Sequence, residues 1–78
     1  MSNAEKYNSV FTESFMIDES KLPELKYQDI AGWDSIGHMQ LMSGLEETFD
    51  IELDIDDIID FSSYEKGKEI LKKYGAEI

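Results

Sequence analysis

The chain has 78 residues and a formal net charge of −11; at that length it holds one domain, buries only about 60–65% of its extended-chain surface and has little material for a deep enzyme pocket. With no cysteine, it has neither a disulfide framework nor a thiolate metal site. Eleven acids and no lysine or arginine lie between Tyr27 and Glu65, which argues against nucleic acid and for partners with basic patches.

The first element expected in chain order is a helix over about 4–16, with Ser2 or Asn3 as its cap. Tyr7, Val10, Phe11, Ser14 and Phe15 recur at helical spacing, and an aromatic stripe of this kind reads as core. Residues 17–34 show no sustained period and hold the only proline, Pro23. They form a long first loop, expected to be pinned to the helices by Leu22, Leu25, Ile30 and Trp33, and loops of that length tend to be functional.

A second helix is expected over about 35–48. His38, Leu41, Met42, Leu45 and Phe49 gather on its inner side, and Ile36, Gln40, Ser43 and Glu47 on the opposite one. The run from Phe49 to Ile55 alternates at period two, a strand pattern with no partner run in the chain. It therefore reads as an extended connector pointing alternate apolar residues inward. A short third helix follows over 56–61, with Ile58, Ile59 and Phe61 as its buried residues. Ser62 or Ser63 caps a last helix over 63–74, where Tyr64, Ile70, Leu71 and Tyr74 face inward and Gly75 stops the helix. The fold class expected is all-α, a small four-helix bundle with a single domain over 1–78. No apolar run approaches the roughly 18 residues of a membrane span, and the N-terminus lacks a signal-peptide core. A cytoplasmic monomer is expected.

The chemistry concentrates at Gly32-Trp33-Asp34-Ser35-Ile36, where the loop meets the second helix. The unpaired amides and positive dipole end of a helix start favour an anion there. On spacing alone Ser35 reads equally as an N-cap and as an attachment point for a phosphate-linked group. Asp34 has two readings as well, helix-start cap and contact for a modifying enzyme. A hydrolytic triad of Ser35, His38 and Asp34 is rejected: three residues within one helical turn do not reproduce the required geometry, and the nucleophile-elbow glycines are incomplete. His38 reads instead as a packed or hydrogen-bonded residue at the inward boundary. The acidic run from Asp50 fails the calcium-loop pattern, since Ile55 and Phe61 stand where glycine and glutamate are needed. No metal site is expected.

Asp34-Ser35-Ile36 resembles the Asp-Ser-Leu signature of acyl carrier proteins and the related peptidyl carriers. The likeness continues through Leu41, Met42, Leu45-Glu46-Glu47, Phe49-Asp50 and Glu52-Leu53, and covers roughly residues 7–74. The resemblance implies an acyl-carrier-type bundle and a non-catalytic carrier. Ser35 would receive 4'-phosphopantetheine from coenzyme A through a phosphopantetheinyl transferase. The arm's terminal thiol, which the polypeptide lacks, would hold cargo as a thioester. Implied partners are the transferase, an acyl- or aminoacyl-loading ligase, and acyltransferase or synthase enzymes with basic patches. Ile36, Gln40, Ser43 and Glu47 would form the docking face, with Glu46, Glu47 and Asp50 supplying charge at its end. Cargo sheltered between the helices would enter near His38. Gly37, His38 and Gln40 stand where housekeeping fatty-acid carriers usually have acids. The Gly-Trp-Asp-Ser opening is closer to carriers of dedicated pathways or of aminoacyl loading. An unmodified acidic interaction module is the competing reading.

Overall fold

The computed structural model describes residues 2–78. Four helices follow one another: α1 (Asn3–Phe15), α2 (Ser35–Phe49), α3 (Ile55–Asp60) and α4 (Tyr64–Lys73). No strand occurs among the described residues, and none of their helices is long and apolar enough to cross a membrane. The all-α bundle expected from the sequence is therefore what the chain forms.

Each helix start has a side chain or an extended residue that explains it. Ser2 caps α1 in a capping box, its Oγ accepting from the Glu5 amide and Glu5 reaching back to the Ser2 amide. The backbone hydrogen bond from Ser2 holds the Glu5 carboxyl below its ordinary range. Asp34 caps α2 and Ser63 caps α4. Helices α1 and α2 end on Met16 and Asp50, both left-handed at φ 54°. The conformation closes off the last turn and leaves Met16 outside α1, one residue short of the expected end. Gly75, at φ 88°, follows α4 where only glycine is relaxed.

The core is aromatic at its centre. Tyr7 and Phe11 of α1 lie within 5.0 Å of each other, with Trp33, Phe61 and Tyr64 around Phe11 at 5.6, 6.3 and 5.4 Å. Leu41, Met42 and Leu45 of α2 and Ile70 and Leu71 of α4 close around them. Buried hydroxyls are satisfied: Tyr7 donates to the Tyr64 carbonyl at 2.6 Å, and Tyr64 donates to Asn8. Burial pushes the Tyr7 hydroxyl far above the usual tyrosine range.

The long loop is held as expected at Leu22, Leu25 and Trp33, all buried, with Ile30 packed against them. It contains a 3-10 turn over Glu19–Lys21. It also pairs with the segment before α4, where the Tyr27 amide donates to the Ser62 carbonyl and the Tyr64 amide to the Leu25 carbonyl, both at 2.9 Å. This single antiparallel bridge ties the loop to the last helix, a contact the sequence did not announce.

Two apolar residues expected inside are outside. Ile55 and Ile59 are 72% and 73% exposed. They stand four residues apart on one face of α3, while Ile58 packs on the core from the other and Phe61, just past the helix end, is buried in it. In their place α3 buries a carboxylate. Asp57 is 7% exposed; Lys73 Nζ lies 2.5 Å from its Oδ1 and the Tyr74 hydroxyl donates to Oδ2. The Tyr74 oxygen also accepts from the Asp54 amide at 3.0 Å. The short helix is thus clasped to the end of α4 by polar contacts. Of the eleven mid-chain acids, Asp57 is neutralised in this buried pair and Glu65 pairs with Lys68 at 3.6 Å on the surface.

The Lys73 ammonium and then the Tyr74 hydroxyl hold the Asp57 carboxyl below its ordinary value of 3.8. A depressed folded-state pKa means stability that is present above 3.8 and lost as pH falls through the lower folded value. Asp57→Asn is expected to melt lower than the parent at pH 7. The gap should close at the acid end of a melting series taken from pH 7 to pH 2. A constant gap across that series would show that the carboxylate's charge is not what holds α3.

Candidate functional site

The site is built where the long loop delivers the chain into α2. Trp33, fully buried, anchors the entry: its ring stacks on Phe15 at 5.4 Å and 27°, and its indole Nε1–H donates to His38 Nδ1 at 2.9 Å. The indole can only donate, so His38 Nδ1 is the accepting nitrogen. Nε2 therefore carries the hydrogen and donates it to the Ile58 carbonyl at 2.7 Å. One imidazole thus joins the loop, the first turn of α2 and α3. Both of its nitrogens are occupied, and neither serves Ser35.

Asp34 takes the capping role, its Oδ1 accepting from the Gly37 amide at 2.8 Å. Ser35 is then the first helical residue rather than the cap, and it is exposed. Its own amide and that of Ile36 belong to the first turn, where no intrahelical acceptor exists. Gly37 permits this entry, because a Cβ there would lie 1.8 Å from the Gly32 carbonyl oxygen. A glycine inside a helical pattern was the one available signal for this close approach, and spacing alone did not give it a meaning.

Around Ser35 the surface divides in two. On the outer face of α2, Ile36 is 70% exposed, and Gln40, Ser43 and Glu47 are exposed beside it. Together with Met39 and Gly44 they line a broad, shallow groove that starts at Ser35. Glu46 does not belong to that face: it is half-buried, and its Oε2 accepts from the Leu53 amide at 2.7 Å, fixing the connector after α2. The charge at this end comes from Glu47 and Asp50, both exposed.

On the inner side lies a cleft of about 340 Å³ between α2 and α3. Helix α2 contributes Ser35, His38 and Met39, and α3 contributes Ile58 and Ile59. Tyr27, Phe61 and Ser62 complete it from the connecting segments. The cleft is mostly apolar, no charged side chain lines it, and Ser35 stands at its rim. The sequence had placed His38 near such an opening, whereas Tyr27 and Ile59 were not foreseen as lining. Among the described residues there is no group of three or more histidines or carboxylates able to hold a metal ion.

A family model described as a phosphopantetheine attachment site matches residues 16–66, more than half of the chain and all of this junction. No solved structure matches the chain.

Proposed function

We propose, on the premise that this chain belongs to the phosphopantetheine-attachment family, that Ser35 is the residue which carries the arm and that the protein presents acyl cargo to partner enzymes of a dedicated pathway. Family membership implies covalently attached 4'-phosphopantetheine. The residues present suit that group. The Ser35 hydroxyl is exposed and left out of the helix cap, and it adjoins first-turn amides and the positive end of a 15-residue helix. When bound, the arm supplies the thiol that the cysteine-free chain lacks.

The observation that carries the reading is the division of labour between Asp34 and Ser35. Because the carboxylate satisfies the Gly37 amide, the serine oxygen is free to react. In attachment the Ser35 oxygen would bond to the phosphorus that bears the pantetheine arm of coenzyme A as the bond from that phosphorus to the bridging oxygen breaks. The serine proton would pass to a base of the transferase and the adenosine bisphosphate would leave. The first-turn amides of Ser35 and Ile36 would favour the phosphodiester anion there, an effect typically worth about 0.3–1 kcal/mol when exposed. That is enough to orient the linkage without clamping it.

The test is incubation with coenzyme A, magnesium and a broad-specificity phosphopantetheinyl transferase, followed by intact mass. A gain of one arm is expected, and Ser35→Ala should show none. No gain with several transferases would instead favour an unmodified acidic interaction module.

The outer face of α2 supports the docking part of the reading. Exposed Ile36 amid Gln40, Ser43 and Glu47 suits a partner with an apolar socket and a basic rim. Loading ligases and acyltransferase or synthase enzymes are the classes that would use it, and the cytoplasm is the compartment proposed. Ile36→Glu should change folding stability by no more than about 0.5 kcal/mol, as exposed substitutions do, while slowing handover to a partner enzyme. A large loss of stability would show Ile36 to be packed rather than presented.

A further inference from the structure

Helices α2 and α3, which flank Ser35, carry no amine side chain. All seven lysines lie outside the stretch from Tyr27 to Glu65, and the chain has neither arginine nor cysteine. Lys6 is on α1, Lys21 and Lys26 are in the long loop, and Lys66, Lys68, Lys72 and Lys73 are on α4. No lysine lines the cleft or the groove that open at Ser35. Lys26 pairs with Ser63 in the loop's bridge, outside the cleft that its neighbour Tyr27 lines. Lys73 reaches towards α3, but the Asp57 carboxylate 2.5 Å away holds its ammonium above the ordinary lysine range. The chain's one histidine is equally occupied. His38 Nδ1 accepts from the Trp33 indole and its Nε2–H donates to the Ile58 carbonyl, so the imidazole offers neither a nucleophile nor a base. Ser43 and Ser62 are exposed hydroxyls, weak nucleophiles unless a base activates them.

We infer that the surface around Ser35 is kept free of nucleophiles so that a thioester on the arm does not acylate its own carrier. The inference rests on Ser35 being the attachment residue. The reaction avoided is aminolysis. A lysine nitrogen attacks the thioester carbonyl, the C–N bond forms as the C–S bond breaks, and the sulfur takes the proton that the amine gives up. Tethering would favour this reaction, because a group on the arm meets its own protein at a raised effective concentration. On a surface without amines, thiols or a free imidazole, the acyl group leaves only to water or to a nucleophile brought from outside. The class of reaction that consumes the cargo is therefore acyl transfer by an enzyme supplying both the nucleophile and the base that activates it.

Acetyl-coenzyme A, magnesium and a broad-specificity transferase give the loaded protein, checked by intact mass and freed of excess donor. It is held at about pH 8.5, where roughly 1% of an ordinary lysine is free amine, then treated with hydroxylamine, which cleaves thioesters and leaves amides. The parent is expected to retain almost no acetyl group. Ile59→Lys and Ser62→Lys each place an amine at an exposed position lining the cleft. Each should retain at least about ten times more acetyl than the parent, located on the new lysine by peptide mass. Ile59→Arg brings the charge without the nucleophile and should behave as the parent, as should Ile59→Lys combined with Ser35→Ala. Retention by the parent on a native lysine or its α-amine, at the level of the lysine variants, overturns the inference. So does retention by both lysine variants no higher than the parent's, or equal retention by either control. In each of those cases the mass gain on loading still stands. No mass gain on loading overturns the attachment reading and this one with it.

Discussion

Trp33→Ala is expected to lower unfolding stability by about 3–5 kcal/mol, close to the limit of what a chain of this length tolerates. At about 0.05–0.15 kcal/mol per residue, 78 residues correspond to roughly 4–12 kcal/mol in total. The indole is fully buried and touches Phe15, Phe11, Tyr27 and Phe61 as well as His38. Its removal leaves a cavity among rigid rings that cannot collapse, and it orphans His38 Nδ1. Trp33→Phe separates the two effects, keeping most of the ring packing but losing the donor, at about 1–3 kcal/mol for the unsatisfied acceptor. Urea unfolding with an unchanged slope should report both. If the alanine variant loses less than about 1 kcal/mol, taken as the midpoint shift times the slope, Trp33 is not the anchor of the loop.

Gly37→Ala should damage the site as well as the fold. The added Cβ would lie 1.8 Å from the Gly32 carbonyl oxygen and 3.0 Å from its carbon. Both are backbone atoms, so no rotamer change relieves the contact. Either the Gly32–Asp34 segment moves away from α2 or the Asp34 cap on the residue 37 amide breaks. Overpacking of this kind costs about 1–3 kcal/mol, against a helix-propensity gain of up to about 1 kcal/mol for replacing glycine. The rate of arm attachment, measured at a temperature where the variant is fully folded, should fall about tenfold or more, because small misplacements of a reacting group are costly. A stable variant modified at the parental rate would show that the loop's approach to α2 does not position Ser35.

The parts of this molecule that were legible in the sequence are those where one residue type admits one environment. The stripe of Tyr7, Val10 and Phe11, the inner side of α2 and the buried Leu22, Leu25 and Trp33 of the loop follow from periodicity and from the cost of leaving such side chains in water. The Asp34-Ser35 pair was legible as a helix start, though not which of the two would cap it. Periodicity failed in α3 because both of its faces are apolar. Ile55 and Ile59 on one side and Ile58 and Phe61 on the other give no gradient, and the outcome was decided by Lys73 and Tyr74 drawing Asp57 inward from another helix. Nothing in the run Asp54–Asp60 distinguishes that carboxylate from its neighbours. Gly67 was silent for a related reason. A Cβ there would lie 2.1 Å from Phe61 Cζ and 2.2 Å from Tyr7 Oη, atoms brought together only by the finished fold. Glu46 read as surface charge, and its bond to the Leu53 amide depends on a turn that spacing does not specify.

One measurement decides whether the hydroxyl at the head of α2 is where the prosthetic arm is joined. The protein, recovered from its native host, is digested and the fragment spanning Trp33 to Glu46 is sequenced by tandem mass spectrometry. The added mass of one 4'-phosphopantetheine on Ser35, and on neither Ser43 nor any other serine of the chain, is the expected result. An unmodified Ser35 in protein that still performs its role in the host, or the arm found on a different residue, would contradict it.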